Sequence, residues 1–120
     1  MRLLWVAGGR DYSHVQKIRE RLRPYADAGW VLITGAQRGV DLTAETMWRD
    51  WQCSYMGIPA KWGLAGRGAG PKRNIIIARY KPKPELLIHF PGGVGTANAV
   101  KVAKAEGIET LSGITTEDDG

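Results

Sequence analysis

The sequence predicts an α/β fold: a three-layer sandwich in which a mostly parallel five-stranded sheet carries helices on both faces. Three observations lead there. Short apolar runs alternate with longer segments of helical period along nearly the whole chain. The runs lack the polar alternation of a half-exposed strand, so they read as strands buried on both faces. The connections from run to helix are tight and rich in glycine, as crossover units require.

The elements follow in order. LLWVA (3–7) is an apolar run that stops at Gly8-Gly9. SHVQKIRERLRPYADAG (13–29) sets Val15, Ile18, Leu22 and Tyr25 at helical spacing. Ser13 with Gln16 three residues on reads as a capping box, which starts the helix near His14; Gly29 ends it. WVLIT (30–34) is the second strand, and GAQRGVD (35–41) is the loop behind it. In LTAETMWRDWQC (42–53), Ala44, Met47, Trp48 and Trp51 fall on one helical face and are expected in the core. SYMGIPA (54–60) is a weaker third strand, followed by the glycine-rich loop KWGLAGRGAGPKRN (61–74). Pro71 suits the first turn of a third helix, PKRNIIIARYK (71–81). PELLIHF (84–90) is the fourth strand. An alanine-rich helix follows PGGVGT and ends at Gly107, and IETL (108–111) supplies a short fifth strand. This β-α-β-α-β-α-β-α-β order is that of a minimal Rossmann-like unit.

Composition narrows the function. A chain of 120 residues holds one domain, read here as 1–113, with an acidic, flexible tail over 114–120. Hydrophobic residues at 43% and charged residues at 24% are ordinary for a soluble globule, and no apolar run reaches the length of a membrane span. The opening MRLLWVAGGRDY is too short and too quickly polar for a signal peptide, which points to the cytoplasm. One cysteine, Cys53, argues against a disulfide framework or a zinc site and reads as a small apolar residue. The net charge of +5 favours anionic partners, although the basic residues form no dense run.

Open parallel sheets bind ligands beyond the carboxyl ends of their strands, near the switch in strand order. Glycines gather there: Gly8 and Gly9 after strand one, Gly35 and Gly39 after strand two, and Gly92, Gly93 and Gly95 after strand four. If strands one and four are neighbours, GGRDYS and PGGVGT face each other across one cleft. Glycine lets a phosphate approach the backbone, and the free N–H groups and dipole of a helix start favour its charge. Thr96 adds a hydroxyl at the helix start, or serves only as its N-cap. The spacing matches neither the dinucleotide G-x-G-x-x-G pattern nor the Walker loop, so neither NAD redox chemistry nor ATP hydrolysis is expected.

Four motifs in order, GGRDYS, TGAQRGVDLTAE, KWGLAGRGAGPKRN and FPGGVGTANAV, resemble the SLOG superfamily, which includes the LOG phosphoribohydrolases and the DprA/Smf DNA-processing proteins. They are most similar to its small YspA-like, YpsA-related branch. The resemblance covers about residues 3 to 111. It implies a Rossmann-like fold that binds a nucleotide or nucleotide derivative, and it implies a dimer. In the LOG enzymes an arginine before PGGxGT and a glutamate three residues after its threonine act on the N-glycosidic bond of a nucleoside 5′-monophosphate. Arg73 matches that arginine, whereas the glutamate position holds Ala99. Alanine can neither stabilise the developing sugar cation nor activate water. A hydrolase built on this chain must take its carboxylate from Asp41, Asp11 or Glu45. Asp41 also reads as a helix N-cap, Asp11 as a partner of Arg10 or a cap, and Glu45 as a complement to the helix dipole.

Arg10, Arg38, Arg67, Lys72 and Arg73 come from three separate loops or helix starts, and arginine suits bidentate contact with phosphate. Asn74 could bond a base, ribose or phosphate, or cap the preceding loop. Trp62 stands in a loop, where it either stacks on a nucleobase or covers the core edge. His14 and His89 read as structural.

Three functions compete. The first is a nucleotide-binding module, a sensor or sequestering protein, using Gly8, Gly9, Arg10, Gly35, Arg38, Gly39, Trp62, Asn74, Gly92, Gly93, Gly95 and Thr96. The second is a nucleotide N-glycosidase with Arg73 and Asp41 or Asp11 as its catalytic groups. DNA binding ranks last, for want of a dense basic stripe. No protein-held metal is expected; Mg2+ could accompany the ligand's phosphate.

Overall fold

The computed structural model describes residues 1–114, and for Leu64 and Ala65 the backbone alone. The acidic tail expected over 114–120 lies, from residue 115 on, outside the described residues. Five strands form one sheet: β1 (Leu3–Ala7), β2 (Val31–Thr34), β3 (Tyr55–Gly57), β4 (Leu86–His89) and β5 (Glu109–Ser112), in the order β3-β2-β1-β4-β5. Every pairing is parallel, so the sheet expected to be mostly parallel is wholly so. The central strand β1 sets Val6 opposite Thr34 on one side and Ile88 on the other. Strand order reverses between β1 and β4, and a crevice opens there by topology alone.

The helices are α1 (Val15–Asp27), α2 (Val40–Asp50), the short α3 (Trp62–Ala65), α4 (Ala69–Ala78) and α5 (Val94–Ala105). Alternate residues of the strands face opposite layers, because a strand has period two. Leu4, Val6, Leu32 and Ile88 meet Ile18 and Leu22 of α1 and Ala44, Met47 and Trp48 of α2. Trp5, Ala7, Ile33 and Leu87 meet Ile77 and Ala78 of α4 and Ala99 and Ala103 of α5. Trp48 donates its indole N–H to the carbonyl of Trp30 at 2.9 Å, which satisfies the one polar atom that its burial would strand.

Three local expectations need correction. Ser13 makes no side-chain cap on α1, whose N-cap is His14. The Gln16 amide instead donates to Glu20 and accepts from Arg19 on the same helix, so no box closes. The second helix starts at Val40 rather than Leu42, with Gly39 as its N-cap; Asp41 therefore lies inside the first turn. The glycine-rich stretch expected as a loop contains α3 and a 3-10 turn over Gly66–Gly68, and α4 starts at Ala69, two residues before Pro71.

Candidate functional site

The carboxyl ends of β1 and β4 meet where Gly9 donates its N–H to the carbonyl of Pro91 at 2.9 Å. The sequence's two central glycine motifs are thus pinned to each other. Behind them lies a cavity of about 490 Å3 at the rim of the sheet. It is lined by Gly8, Gly9, Arg10 and Asp11 from the first loop, and by Gly93, Gly95 and Thr96 from the α5 start. Trp62, Arg67, Arg73 and Asn74 close it from the α3–α4 side. Eleven residues singled out in the sequence therefore converge.

The others fall elsewhere. Gly35 and Asp41 line a small void of about 20 Å3 that adjoins the cavity and shares Gly8, Gln37, Arg73 and Thr96 with it. Gly92 lies on the far side of its own loop, facing a different depression with His89 and Ser112. Arg38 and Gly39 line a groove between α1 and α2; Arg38 also borders a depression with Arg10, Gly35 and Trp62, and it pairs with Asp11 at 3.3 Å in the open.

The glycines divide into two kinds. A Cβ on Gly92 would lie 2.7 Å from the amide nitrogen of Gly9, and one on Gly35 would lie 2.6 Å from Cζ of Arg73. Gly39 has φ +88° and would push a Cβ to 2.6 Å from the Arg10 carbonyl. Protein atoms already fill the space these glycines leave. Gly93 and Gly95 differ: a Cβ on either would meet nothing within 4 Å. Both sit at the start of α5, where helix geometry leaves the N–H groups of Val94, Gly95 and Thr96 without intrahelical acceptors. Thr96 is the third residue of this helix rather than its N-cap, which is Gly93. Open backbone, free donors and the positive end of a helix dipole coincide at the start of α5.

Arg73 is buried, at 5% exposure. It donates from Nη1 to the Gly35 carbonyl at 2.7 Å and from Nε to Asn74 Oδ1 at 2.8 Å. Asn74 passes the chain on, donating to Asn98 Oδ1 of α5 at 2.8 Å. The loop after β2, the start of α4 and the start of α5 are thereby fixed to one another. Burial pulls the Arg73 guanidinium below its usual range; Asp41 opposes this, and the nearby charge of Arg10 adds to it. Two guanidinium groups close enough to repel favour an anion between them.

Asp41 accepts a hydrogen bond from the Gln37 backbone N–H at 3.3 Å. Burial is the largest influence on its carboxyl and raises it from 3.8 to about 7, against the pull of the Gln37 amide and Arg73. Glu45 is held by Thr34, whose hydroxyl donates to Oε2 at 2.5 Å. His89 is pushed below its usual range by burial and then by Lys104. Among the described residues, no group of three or more His, Cys, Asp or Glu side chains could hold a metal, and no helix is long and apolar enough to cross a membrane.

Sequence reasoning missed Gln37, Gly70, Val94 and Asn98, all of which line the cavity. Val94 and Asn98 are four residues apart on α5, so helical spacing from the PGGVGT motif held the signal. Gly70 carried none: a Cβ there would come within 3.1 Å of the Trp62 ring, a contact visible only in three dimensions.

No protein-family model matches this chain, and no curated protein does. Solved structures do. TM1055, a structural-genomics target, aligns with a TM-score of 0.71 at 20% identity, over 92% of this chain and 72% of its own. The molybdenum cofactor binding protein of the phototrophic bacterium Rippkaea orientalis aligns with a TM-score of 0.74 at 21% identity, over 93% of this chain and 76% of its own. Both likenesses span nearly the whole chain, and they identify its architecture as the Rossmann-like α/β fold of those two proteins.

Proposed function

We propose that this protein binds a nucleotide or nucleotide-derived ligand at the carboxyl edge of its sheet, as a sensor or sequestering module. One observation carries the reading: open amides at the α5 start, Arg10, Arg67 and Arg73, and the ring of Trp62 all line a single cavity. The amides and arginines suit a phosphate, and the ring suits a base. A volume of about 490 Å3 falls within the range of small-molecule sites. The four motifs that resemble the SLOG superfamily, its YspA-like branch in particular, support the same reading. So does the neighbour of like fold that binds the molybdenum cofactor. Mg2+ would enter with the ligand's phosphate. Exposed Ile75 and Ile76 on α4 offer apolar area for a homodimer in the cytoplasm.

A thermal-shift panel of mono-, di- and cyclic nucleotides tests this. A bound nucleotide raises the melting temperature progressively with its concentration. A panel without any concentration-dependent rise overturns the reading.

The second reading is hydrolysis of a nucleotide's N-glycosidic bond, favoured by the buried carboxyl of Asp41 beside Arg73. A carboxyl group raised to about 7 is poised for general acid–base work. Ala99, in place of the LOG glutamate, lines the same small void as Asp41. Chromatography of nucleotides incubated with the protein would reveal released base, and Asp41→Asn should abolish the release. Binding ranks first because Asp11, exposed and paired with Arg38, is the one carboxylate among the residues lining the large cavity.

A further inference from the structure

Asp41 is 5% exposed and belongs to the void rather than to the cavity, yet it is electrically joined to the cavity through Arg73. Arg73 lines both spaces, and so do Gln37, Gly95 and Thr96. Groups from four elements or loops act, directly or through Arg73, on the Asp41 carboxyl. The loop after β2 gives the Gln37 and Gly35 N–H groups, α4 gives the Arg73 guanidinium, and α2 itself gives Glu45 one turn on. The first loop gives Arg10, which acts on Arg73. The α5 residues in the void, Gly95, Thr96 and Ala99, carry no titratable group, nor do Trp5 and Ala7 of β1. Arg73 is therefore shared between a buried carboxyl on one side and the proposed anion on the other.

We propose that Asp41 sets the charge the site accepts: it takes up a proton when a dianion binds, releasing the full charge of Arg73 to the ligand. This rests on the anion-binding reading above and names how that site is regulated. An arriving dianion competes with the Asp41 carboxylate for the same guanidinium. It also repels that carboxylate through the small void that Asp41 and Arg73 both line. Both effects favour the neutral acid. The void has room for roughly one water, too little to hydrate a charged carboxylate left without its partner. Affinity for a dianion thus rises as pH falls toward about 7, where the free protein already carries the proton. Below that pH the affinity is level.

Inorganic sulfate is the probe, because it stays a dianion throughout and contributes no proton of its own. Its binding is followed by amide NMR of Gly93 and Gly95 from about pH 6 to about pH 8.5. In the unmodified protein the dissociation constant should climb several-fold, up to about tenfold, per pH unit above about 7. Asp41→Asn should bind with one affinity across the range. Calorimetry of the unmodified protein in two buffers of different ionisation enthalpy reads the same proton without any substitution, and shows uptake of a fraction of a proton near pH 7.5. Sulfate binding with a flat pH profile and no proton uptake overturns the role of Asp41 and leaves the anion site standing. An unchanged slope in Asp41→Asn does the same. Failure of sulfate to move Gly93 and Gly95 at any pH overturns both the role of Asp41 and the site.

Discussion

At the scale of single residues, the glycines separate ligand chemistry from chain packing. Gly93 and Gly95 have room for a methyl group and negative or unremarkable φ, so alanine at either fits the fold. Gly95→Ala, in the first turn of α5, should leave stability unchanged or raise it by about 0.4–1 kcal/mol. It also puts a methyl group where an anion would meet the backbone, and nucleotide or sulfate affinity should fall at least about tenfold, some 1.4 kcal/mol. Gly92→Ala should do the reverse kind of damage, since its Cβ runs into the Gly9 backbone; denaturant titration should show it destabilised by about 1–3 kcal/mol. Sequence alone could not sort these glycines, because all sit in similar motifs and only the opposing loop tells them apart. Asp41 gives a second residue-level test. Its unfolded-chain value is near 3.8 and its folded value about 7, so the folded protein holds this proton longer. Its contribution to stability is complete below about pH 4 and is lost as pH rises through about 7. Relative to Asp41→Asn, the unmodified protein should lose stability steadily across that window in melts at successive pH values. A constant difference between the two would count against the buried carboxyl.

At the scale of elements, the unplanned piece is α3. Its Trp62 was legible as an aromatic outside any helical stripe, but the glycine count around it hid the short helix that places it. The ring packs over Gly70 of α4 and is 45% exposed, so it forms a wall of the cavity without being locked in the core. Trp62→Ala should therefore cost little stability, whereas nucleotide affinity should drop by about 1–3 kcal/mol if a base stacks there. Inorganic phosphate, having no base, should bind both forms alike. Equal losses for the two ligands would mean the ring only shields the cavity. The helix starts show where local rules gave way. Ser13 and Gln16 had the spacing of a cap, but Gln16 lies on an exposed helix face where Glu20 and Arg19 compete for its amide. At α2, the approach of Gly39 to the Arg10 carbonyl fixes the helix start two residues early, a tertiary contact that no local motif announces. The central strands β1, β2 and β4 were easier, since their apolar runs must be buried on both faces and allow little else, whereas the edge strands β3 and β5 are largely half-exposed.

At the scale of the whole molecule, the site and the core share the same two strands. Val6 and Ile88 are fully buried, lie opposite each other in the ladder, and stand just before the loops that carry Gly9 and Gly93. Strand β1 also supplies both cores, Leu4 and Val6 to one and Trp5 and Ala7 to the other. A chain of this size with its central strand common to both layers should unfold as one cooperative unit. A ligand that bridges the loops after β1 and β4 then stabilises the entire domain and not only its rim. At a ligand concentration about one hundred times the dissociation constant, global unfolding should become harder by about 2.7 kcal/mol. Hydrogen exchange checks this directly. The amides of Val6 and Ile88, which exchange only through global opening in such a unit, should slow by about one hundredfold with saturating nucleotide. If only the loops around Gly9 and Gly93 slow while the strand amides keep their rates, the rim opens independently of the sheet, and site and core are not coupled.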